Sequence, residues 1–341
     1  MKEYFKDKSI LITGGVGSVG TELVKQLLAF ETKKIIIIDN NESEIFFATQ
    51  KYNKYDNVIA LVGDITNRNF VMQQVKGVDI VFHTAALKHV ILGEYSPESI
   101  VSTNIIGIQN ILDACLENEV EKFIFTSSDK AVNPTNVMGT SKLMGERLVT
   151  AMNNKQKNSK TIFSSTRFGN VIGTKGGVFT IFKNQILKGE DITVTDKRMT
   201  RFFMTIEESV SLVLKSCVRA QGGEVFVTKM PVINIYDLAV SMRTIFSKVA
   251  GINEEEISIK EIGSKAGEKL YEELMSEEEV NRTIENDDFF IIFPAFKSLY
   301  SEIEYSHISK NDSITKAYNS ANEKSLSHEE IHNFLKENNL L

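Results

Sequence analysis

Short apolar runs alternate with longer amphipathic stretches over the first half of the chain. Continuous apolar runs are typical of strands buried on both faces, and apolar residues at every third or fourth position are typical of helices. The runs predict strands at Ser9–Thr13, Lys34–Asp39, Val58–Gly63, Asp79–His83, Lys122–Ser127 and Thr161–Phe168. The stretches between them predict helices at Val19–Phe30, Glu42–Tyr52, Asn67–Val75, Pro97–Asn118 and Asn136–Asn154. This alternation indicates an α/β fold, a doubly wound parallel sheet with helices on both faces.

The pattern becomes irregular beyond Gly169. Helices are predicted near Val178–Lys188, Ile206–Ala220 and Ile235–Val249, with short strands among them, and His328–Asn338 is predicted to be a final helix. We expect a smaller α/β lobe that binds substrate and interleaves with the sheet. The predicted organisation is a sheet domain at 1–168 with interleaved later segments, a substrate lobe at 169–295, and a C-terminal tail and helix at 296–341.

Composition predicts an ordinary soluble protein. The chain has 341 residues, of which 42% are hydrophobic and 25% charged, and its net charge is −6. This acidic balance argues against a nucleic-acid partner, because phosphate backbones attract clustered Lys and Arg. The N-terminus contains no apolar signal core, and the run from Ile35 to Ile38 is too short to span a bilayer. We therefore expect a cytoplasmic protein without a membrane partner, with buried thiols at Cys115 and Cys217 and no metal site.

The loop after the first predicted strand is rich in glycine. Gly14, Gly17 and Gly20 have GxxGxxG spacing, and Ser18 and Val19 open the next helix. Such a turn lets a pyrophosphate approach the backbone and face the N-terminus of the helix. Glycine turns also occur as plain strand–helix connections, so it is the position directly after the first strand that favours a dinucleotide site.

One acidic residue ends the second predicted strand, and another directly follows the third. Asp39 is placed to accept hydrogen bonds from the hydroxyls of an adenosine ribose. Residues 40–44 contain no Arg or Lys that could pair with a 2′-phosphate, which favours NAD over NADP. Asp64, followed by Ile65, is placed to meet the adenine amino group. For both aspartates the alternative is a cap on the following helix.

Residues capable of proton transfer follow the fifth predicted strand. Ser128, Asp129 and Lys130 lie at the carboxyl end of the strand, where ligands bind parallel sheets. The next helix carries Met138 and Lys142, which lie four residues apart and so share one face. The alternative for Asp129 and Lys130 is a surface pair that caps a helix.

The chain resembles the extended short-chain dehydrogenases/reductases, which have a Rossmann sheet. Among them it resembles the N-acetylglucosamine nucleotide 4,6-dehydratases of bacterial polysaccharide and flagellar-glycan biosynthesis. The matching stretches lie between Thr13 and Leu274 and read TGGVGSVG, HTAALKHV, STNIIG, SSDKAVNPTNVMGTSK, RFGNVIG, MTRFFMT and GEKLYEEL. The resemblance implies an NAD-dependent lyase that oxidises C4 of UDP- or GDP-linked N-acetylglucosamine, removes water across C5 and C6, and returns the hydride to C6. It also implies a homo-oligomer.

The resemblance implies roles for the residues after the fifth strand. Asp129 is expected to be the acid and Lys130 the base, which requires a lowered pKa for Lys130. Met138 stands where the wider superfamily has Tyr, and a thioether cannot accept the proton of the sugar C4 hydroxyl, so we interpret Met138 as a packing residue. Ser128 (through a water) or Lys142 is then the expected base for that hydroxyl, and Lys142 is also expected to hold the nicotinamide ribose.

Residues after the other strands are expected to line the ligand sites. Ala85 and Ala86 let the cofactor lie against the backbone, Lys88 is assigned to both ligands, and His89 is assigned to the sugar. Asn104 is grouped with the cofactor residues as a buried organiser of the site. The expected substrate contacts further along the chain are Asn170, Lys175, Arg201 and Glu268. Arg201 is the expected diphosphate clamp. Lys175 stands where the family commonly has Arg, which leaves the nucleotide open.

Two other functions stay open at this point. A C4 or C5 epimerase of the same fold would not need the pair Asp129 and Lys130. A non-catalytic NAD-binding protein would account for the missing Tyr. The stretch DKAVNPTNVMG resembles members of the family that retain the configuration at C5, and we expect retention here.

Overall fold

The computed structural model describes residues 1–155, 160–174, 176–263, 267–296, 303, 305, 314–338 and 340–341. The strands are β1 (Ser9–Thr13), β2 (Lys34–Asp39), β3 (Val58–Val62), β4 (Ile80–His83), β5 (Lys122–Ser128), β6 (Ile162–Phe168), β7 (Asn170–Val171), β8 (Ile192–Val194), β9 (Thr200–Met204), β10 (Val225–Thr228), β11 (Val232–Asn234), β12 (Ile259–Glu261), β13 (Thr283–Glu285) and β14 (Phe289–Ile292). The α-helices are α1 (Lys2–Phe5), α2 (Ser18–Leu28), α3 (Glu42–Tyr52), α4 (Arg68–Gln74), α5 (Val90–Tyr95), α6 (Pro97–Ile100), α7 (Ile108–Glu117), α8 (Val137–Met152), α9 (Val178–Leu187), α10 (Ile206–Arg219), α11 (Ile235–Ala250), α12 (Glu277–Val280) and α13 (His328–Glu337). A π-helix spans Val101–Gly107, and 3₁₀ turns span Asp129–Ala131 and Glu254–Glu256.

Nine strands of the described residues form one sheet, in the order β13-β14-β10-β6-β5-β4-β1-β2-β3. In this spatial order, the strands from β10 through to β3 run parallel to one another. At the edge, β14 pairs antiparallel with β10, and β13 pairs antiparallel with β14. The chain builds outward from β1 to β3, then crosses back to β4 and continues in the other direction. That reversal opens a crevice at the carboxyl ends of β1 and β4, where such sheets bind ligands. The predicted doubly wound parallel sheet is confirmed.

The apolar residues of the strands pack on both faces of this sheet. Ile10 and Ile12 of β1 belong to one core with α2, α3 and α10, whereas Leu11 belongs to a second core with α4, α7 and α8. Successive residues of a strand point to opposite faces, so a sheet covered on both sides needs strands that are apolar throughout. This requirement explains the continuous apolar runs of the sequence.

A smaller group of elements lies beside the sheet. β7, β9 and β11 form a three-stranded sheet, and β8 pairs with β12. Side chains from α9, α11 and α13 share a separate core that includes Phe182, Ile233, Phe246 and Leu335. The later strands β10, β13 and β14 belong to the large sheet. The division of the chain into domains at residues 168 and 295 stays a prediction.

The region after β4 differs most from the predicted elements. The predicted helix Pro97–Asn118 is split into α6, the π-helix and α7, and α5 was not predicted. π-Helical turns interrupt α-helices mainly at functional sites. By length and composition alone the stretch Pro97–Glu117 could cross a membrane, and half of its most apolar window is buried inside the fold. The expectation of no membrane partner stays a prediction.

Candidate active site

The glycine turn after β1 packs directly against the loop after β4. Gly14 has a φ of +66°, and a Cβ on it would lie 2.6 Å from the backbone N of Ala85. A Cβ on Gly20 would lie 2.5 Å from the carbonyl O of Gly14. Neither position has space for a side chain. Gly17 is the N-cap of α2 and provides no side-chain cap, so the N-terminus of this helix opens onto the crevice without a capping oxygen.

The two aspartates at the ends of β2 and β3 do not cap the following helices. Asp39 accepts hydrogen bonds from the backbone N–H groups of Asn41 (3.0 Å) and Val16 (3.4 Å). Asn41 caps α3, and Asn67 caps α4. Asp64 accepts from the N–H and hydroxyl of Thr66, both at 2.8 Å. Both aspartates line the crevice, as a dinucleotide site requires.

Two neighbouring cavities meet at the carboxyl edge of the sheet. The first, of about 590 Å³, is lined by the predicted residues Gly14, Gly17, Ser18, Val19, Gly20, Asp39, Asp64, Ile65, Ala85, Ala86, Lys88, His89, Ser128, Lys130, Met138, Lys142 and Asn170. The second, of about 640 Å³, is lined by His89, Lys130, Asn170, Arg201, Glu268 and Glu272, among others. Lys130, Asn170 and His89 line both cavities, so the structure brings the predicted cofactor and substrate residues together. Lys175 lies outside the described residues, and its predicted role stays a prediction.

Asp129 and Lys130 form a hydrogen-bonded pair in the 3₁₀ turn that follows β5. The Lys130 Nζ donates to both carboxylate oxygens of Asp129, at 3.1 and 3.3 Å. The Ser128 hydroxyl also donates to Asp129, and the backbone N–H of Lys130 donates to it at 2.9 Å. Asp129 is fully buried. The alternative of a surface Asp–Lys pair therefore does not describe these residues.

The charge state of Lys130 differs from the sequence expectation. Burial by itself lowers the pKa of this lysine, but the carboxylates of Asp129 and Glu272 outweigh burial, and the pKa of Lys130 is raised. The expected lowering of the pKa of Lys130 is wrong, because Asp129, and with it Glu272 from a distant part of the chain, stabilises the charged lysine. At rest Lys130 is an ammonium group between two acids.

Lys142, unlike Lys130, has a lowered pKa. Its Nζ donates to the carbonyl O of Thr126 at 3.0 Å and lies 4.7 Å from the ring centroid of Phe125. Burial lowers the pKa of Lys142 to about 8, and the attraction of Glu146 only partly offsets the effect of burial. Met138 lies one turn earlier on α8, is 3% exposed, and lines the first cavity. Lys142 therefore loses its proton more easily than Lys130 does.

Asn104, in the π-helix, acts on the site through other residues. Its side chain donates to the carbonyl O of Leu87 (3.0 Å) and to Ser141 Oγ (2.9 Å), and it accepts from the N–H of Leu87 (2.9 Å). These bonds tie the loop after β4 to α8, which carries Met138 and Lys142. Asn104 does not line the first cavity. From sequence it is grouped with the cofactor residues, but its position is that of an organiser behind the wall of the cavity.

Arg201, the predicted diphosphate clamp, donates its hydrogen bonds to backbone carbonyl oxygens of the protein. Its Nη1 donates to the carbonyl oxygens of Thr200 (2.8 Å) and Leu270 (3.2 Å), and its Nη2 donates to that of Lys269 (2.7 Å). Its Nε lies 3.4 Å from Glu272 Oε1. The guanidinium group thus holds the loop at 267–272 in this structure, and its role toward a diphosphate stays a prediction.

Glu272 is a residue of the candidate site that the sequence pattern did not single out. It lies inside the GEKLYEEL stretch, from which only Glu268 was selected. Glu268 is exposed at the second cavity, whereas Glu272 is buried with its Oε1 3.7 Å from Lys130 Nζ. Burial raises the pKa of Glu272, against the effect of Lys130. The motif was the available signal, but the spacing alone did not identify which glutamate faces the lysine.

Comparison with known proteins finds relatives along the whole chain. The chain is 44% identical over 337 residues to a protein named uncharacterized membrane protein from Methanocaldococcus jannaschii, covering 99% of this chain and 98% of that one. It is 39% identical over 304 residues to a UDP-N-acetylglucosamine 4,6-dehydratase (inverting) of Campylobacter jejuni, covering 89% and 87%. It is 38% identical over 339 residues to a UDP-glucose 4-epimerase of Rickettsia bellii, covering 97% and 96%.

Solved structures have the same fold. The X-ray structure of Pen from Bacillus thuringiensis matches with a TM-score of 0.90 and 38% identity, over 98% of each chain. DesIV, a dTDP-glucose 4,6-dehydratase from Streptomyces venezuelae, matches with a TM-score of 0.67 and 18% identity, over 77% of this chain and 86% of that one. The family described as "Polysaccharide biosynthesis protein" matches residues 10–294. This chain therefore belongs to the polysaccharide biosynthesis protein family, within the extended short-chain dehydrogenases/reductases.

Proposed function

We propose that this chain is a nucleotide-sugar 4,6-dehydratase that uses NAD and acts on UDP-N-acetylglucosamine. The observation that carries the proposal is the buried, hydrogen-bonded pair of Asp129 and Lys130, with Lys130 at the junction of the two cavities. Relatives at 38 and 39% identity carry the name UDP-N-acetylglucosamine 4,6-dehydratase, which supports UDP over GDP.

The first cavity fits a nicotinamide dinucleotide. The close approach of Gly14 to Ala85 leaves a side-chain-free cradle beside the uncapped N-terminus of α2, which suits a pyrophosphate. Asp39 is positioned for the adenosine ribose, and its negative charge would repel a 2′-phosphate. When bound, NAD supplies the chemistry of taking a hydride from C4 and returning it to C6. We expect tighter binding of NAD than of NADP in calorimetry, and a strong NADP preference would overturn the role of Asp39.

Asp129 and Lys130 exchange a proton to become the acid and the base. The proton moves along the 3.1 Å hydrogen bond from Lys130 Nζ to Asp129 Oδ1, leaving an amine and a carboxylic acid. With a ketone at C4 the C5 proton is acidic, and the Lys130 amine takes it. The C5–H electrons form the C5–C6 double bond, the C6–O bond breaks, and Asp129 gives its proton to the leaving hydroxide. Water departs, leaving Asp129 as a carboxylate and Lys130 as an ammonium group. When C6 receives the hydride, Lys130 gives a proton to C5, and this proton exchanges with solvent while it is on Lys130. The proton that Lys142 took from the C4 hydroxyl then restores the ammonium group of Lys130 through solvent.

Lys142 is the base for the C4 hydroxyl. Met138 occupies the wall one turn before it and has no group that can take a proton. With a pKa of about 8, Lys142 is partly an amine near neutral pH. The Ser128 hydroxyl donates to Asp129, which the elimination already uses as its acid. These features favour Lys142 over Ser128.

A C4 epimerase is the second candidate, because relatives of similar identity carry the name UDP-glucose 4-epimerase. An epimerase needs no proton transfer at C5, so it leaves the Asp129–Lys130 pair without a function. A non-catalytic NAD-binding protein would turn over no sugar nucleotide at all.

The test is to incubate the purified protein with UDP- and GDP-N-acetylglucosamine and identify the product by NMR. We expect a 4-keto-6-deoxy sugar from the UDP substrate. A C4 epimer without any keto product would establish the epimerase, and no turnover would favour the non-catalytic protein. The C5 configuration of the product also tests the predicted retention, against relatives named as inverting.

A further inference from the structure

Glu272 is a buried carboxyl group at the wall of the second cavity. It is 4% exposed, and its Oε1 lies 3.7 Å from Lys130 Nζ and 3.4 Å from Arg201 Nε. Its Oε2 is also buried and has no hydrogen-bond partner among the described residues. A buried carboxyl oxygen without a partner is costly, and such an exception to normal satisfaction calls for an explanation other than stability.

The backbone around Glu272 is held on both sides. Its N–H donates to Ser320 Oγ at 2.9 Å, and its carbonyl O accepts from the N–H of Ser320 at 2.9 Å. Arg201 binds the carbonyl oxygens of Lys269 and Leu270 just before it. The backbone that carries the carboxyl group is therefore held in place beside Lys130.

We infer that Glu272 is a positioning residue that acts through Lys130, holding its Nζ at the junction of the cavities and stabilising the positive charge that forms when Lys130 takes the C5 proton. This inference rests on the proposed function. The charged groups that face the pair are Asp129, Arg201 and Lys269. Burial lowers the pKa of Lys130, but the carboxylates of Asp129 and Glu272 raise it overall. Once Asp129 holds the proton, the charge of Glu272 is the one that remains to make the Lys130 amine a stronger base for a carbon acid.

Glu272→Gln tests the inference, because it keeps the size of the side chain and removes its charge. We expect kcat to fall about a hundredfold or more, the scale found when one charge-stabilising group is removed from an active site, with KM unchanged. Because only the elimination is slowed, reduced nicotinamide should accumulate after mixing with UDP-N-acetylglucosamine and be visible in its near-ultraviolet absorbance. Deuterium uptake at C5 from deuterated water should slow to the same extent. Glu272→Asp keeps the charge and should recover part of kcat.

Glu273→Gln is the matched control. Glu273 lies next in the chain and binds Lys269 Nζ and Asn133 Nδ2, both at 3.0 Å, away from Lys130. We expect its kcat and its nicotinamide absorbance to equal those of the unaltered protein.

The outcomes separate this inference from the proposed function. If the unaltered protein forms no keto product, the proposed function fails. If it does form the product, a Glu272→Gln variant with unchanged kcat overturns the inference. A loss of kcat without reduced nicotinamide, or with raised KM, also overturns it, because the defect would then precede the elimination. A Glu272→Asp variant no better than Glu272→Gln would show that the charge is not what matters.

Discussion

Replacing Lys142 by Met should change how the stability of the protein depends on pH. Lys142 is 7% exposed, and burial lowers its pKa from 10.5 to about 8. The unfolded chain thus holds this proton more tightly than the folded chain. Burying the charged Lys142 therefore costs folding free energy. This cost is fully present below about pH 8 and disappears as the pH rises to 10.5, the pKa of the lysine in the unfolded chain. A difference of this size corresponds to about 3 kcal/mol, since a tenfold change in proton affinity is about 1.4 kcal/mol.

The assay is urea unfolding of the unaltered protein and of Lys142→Met at about pH 7 and about pH 10. The Met variant removes the buried charge, so it should gain stability relative to the unaltered protein at the lower pH. Between the two pH values the difference in unfolding free energy should change by about 2.5 kcal/mol. The absolute difference also contains the lost hydrogen bond to Thr126, which cancels in this comparison.

Arg147→Met is the control, because Arg147 is exposed on the same helix and an arginine stays charged at both pH values. Its effect on the unfolding free energy should be equal at the two pH values. If Lys142→Met also shows a change smaller than about 0.5 kcal/mol, Lys142 does not carry this cost, and its assignment as the C4 base loses its physical basis.

Two further predictions concern the cleft. Lys130→Ala and Asp129→Asn should each abolish dehydration while NAD stays bound. Product NMR measures the dehydration, and nicotinamide absorbance of the purified variants measures the bound cofactor. Near-normal turnover in either variant would remove that residue from its assigned role. Gly14→Ala should weaken NAD binding at least tenfold in calorimetry. Its Cβ would collide with the backbone of Ala85 and its φ of +66° is strained for any L side chain. Unchanged affinity would show that this contact does not shape the cofactor site.

Most of the sheet could be predicted from sequence because its strands are apolar throughout. β1, β2 and α3 have the predicted bounds, and those of β3 to β6 differ by a residue at one end. The residues after these strands lie in one crevice because parallel strands bring their carboxyl ends to one edge. The places of the glycine turn, Asp39 and the segment 128–130 in this crevice are therefore predictable from sequence.

The properties that sequence did not predict depend on contacts between distant segments. The raised pKa of Lys130 comes partly from Glu272, which is 142 positions further along the chain and enters the cleft through the loop that Arg201 holds. The π-helix around Asn104 reflects hydrogen bonds to Leu87 and Ser141, on two other elements. No local pattern of residues encodes either arrangement, because both are set by tertiary packing.

The most direct test of the central claim is where the C5 proton of the sugar goes. UDP-N-acetylglucosamine should be converted in deuterated water, and the C5 position of the product examined by NMR. If the Asp129–Lys130 pair performs the elimination, the 4-keto-6-deoxy product carries deuterium at C5, and Lys130→Ala forms none of it. A product that keeps its original hydrogen at C5, or an unaltered yield from Lys130→Ala, would contradict the account.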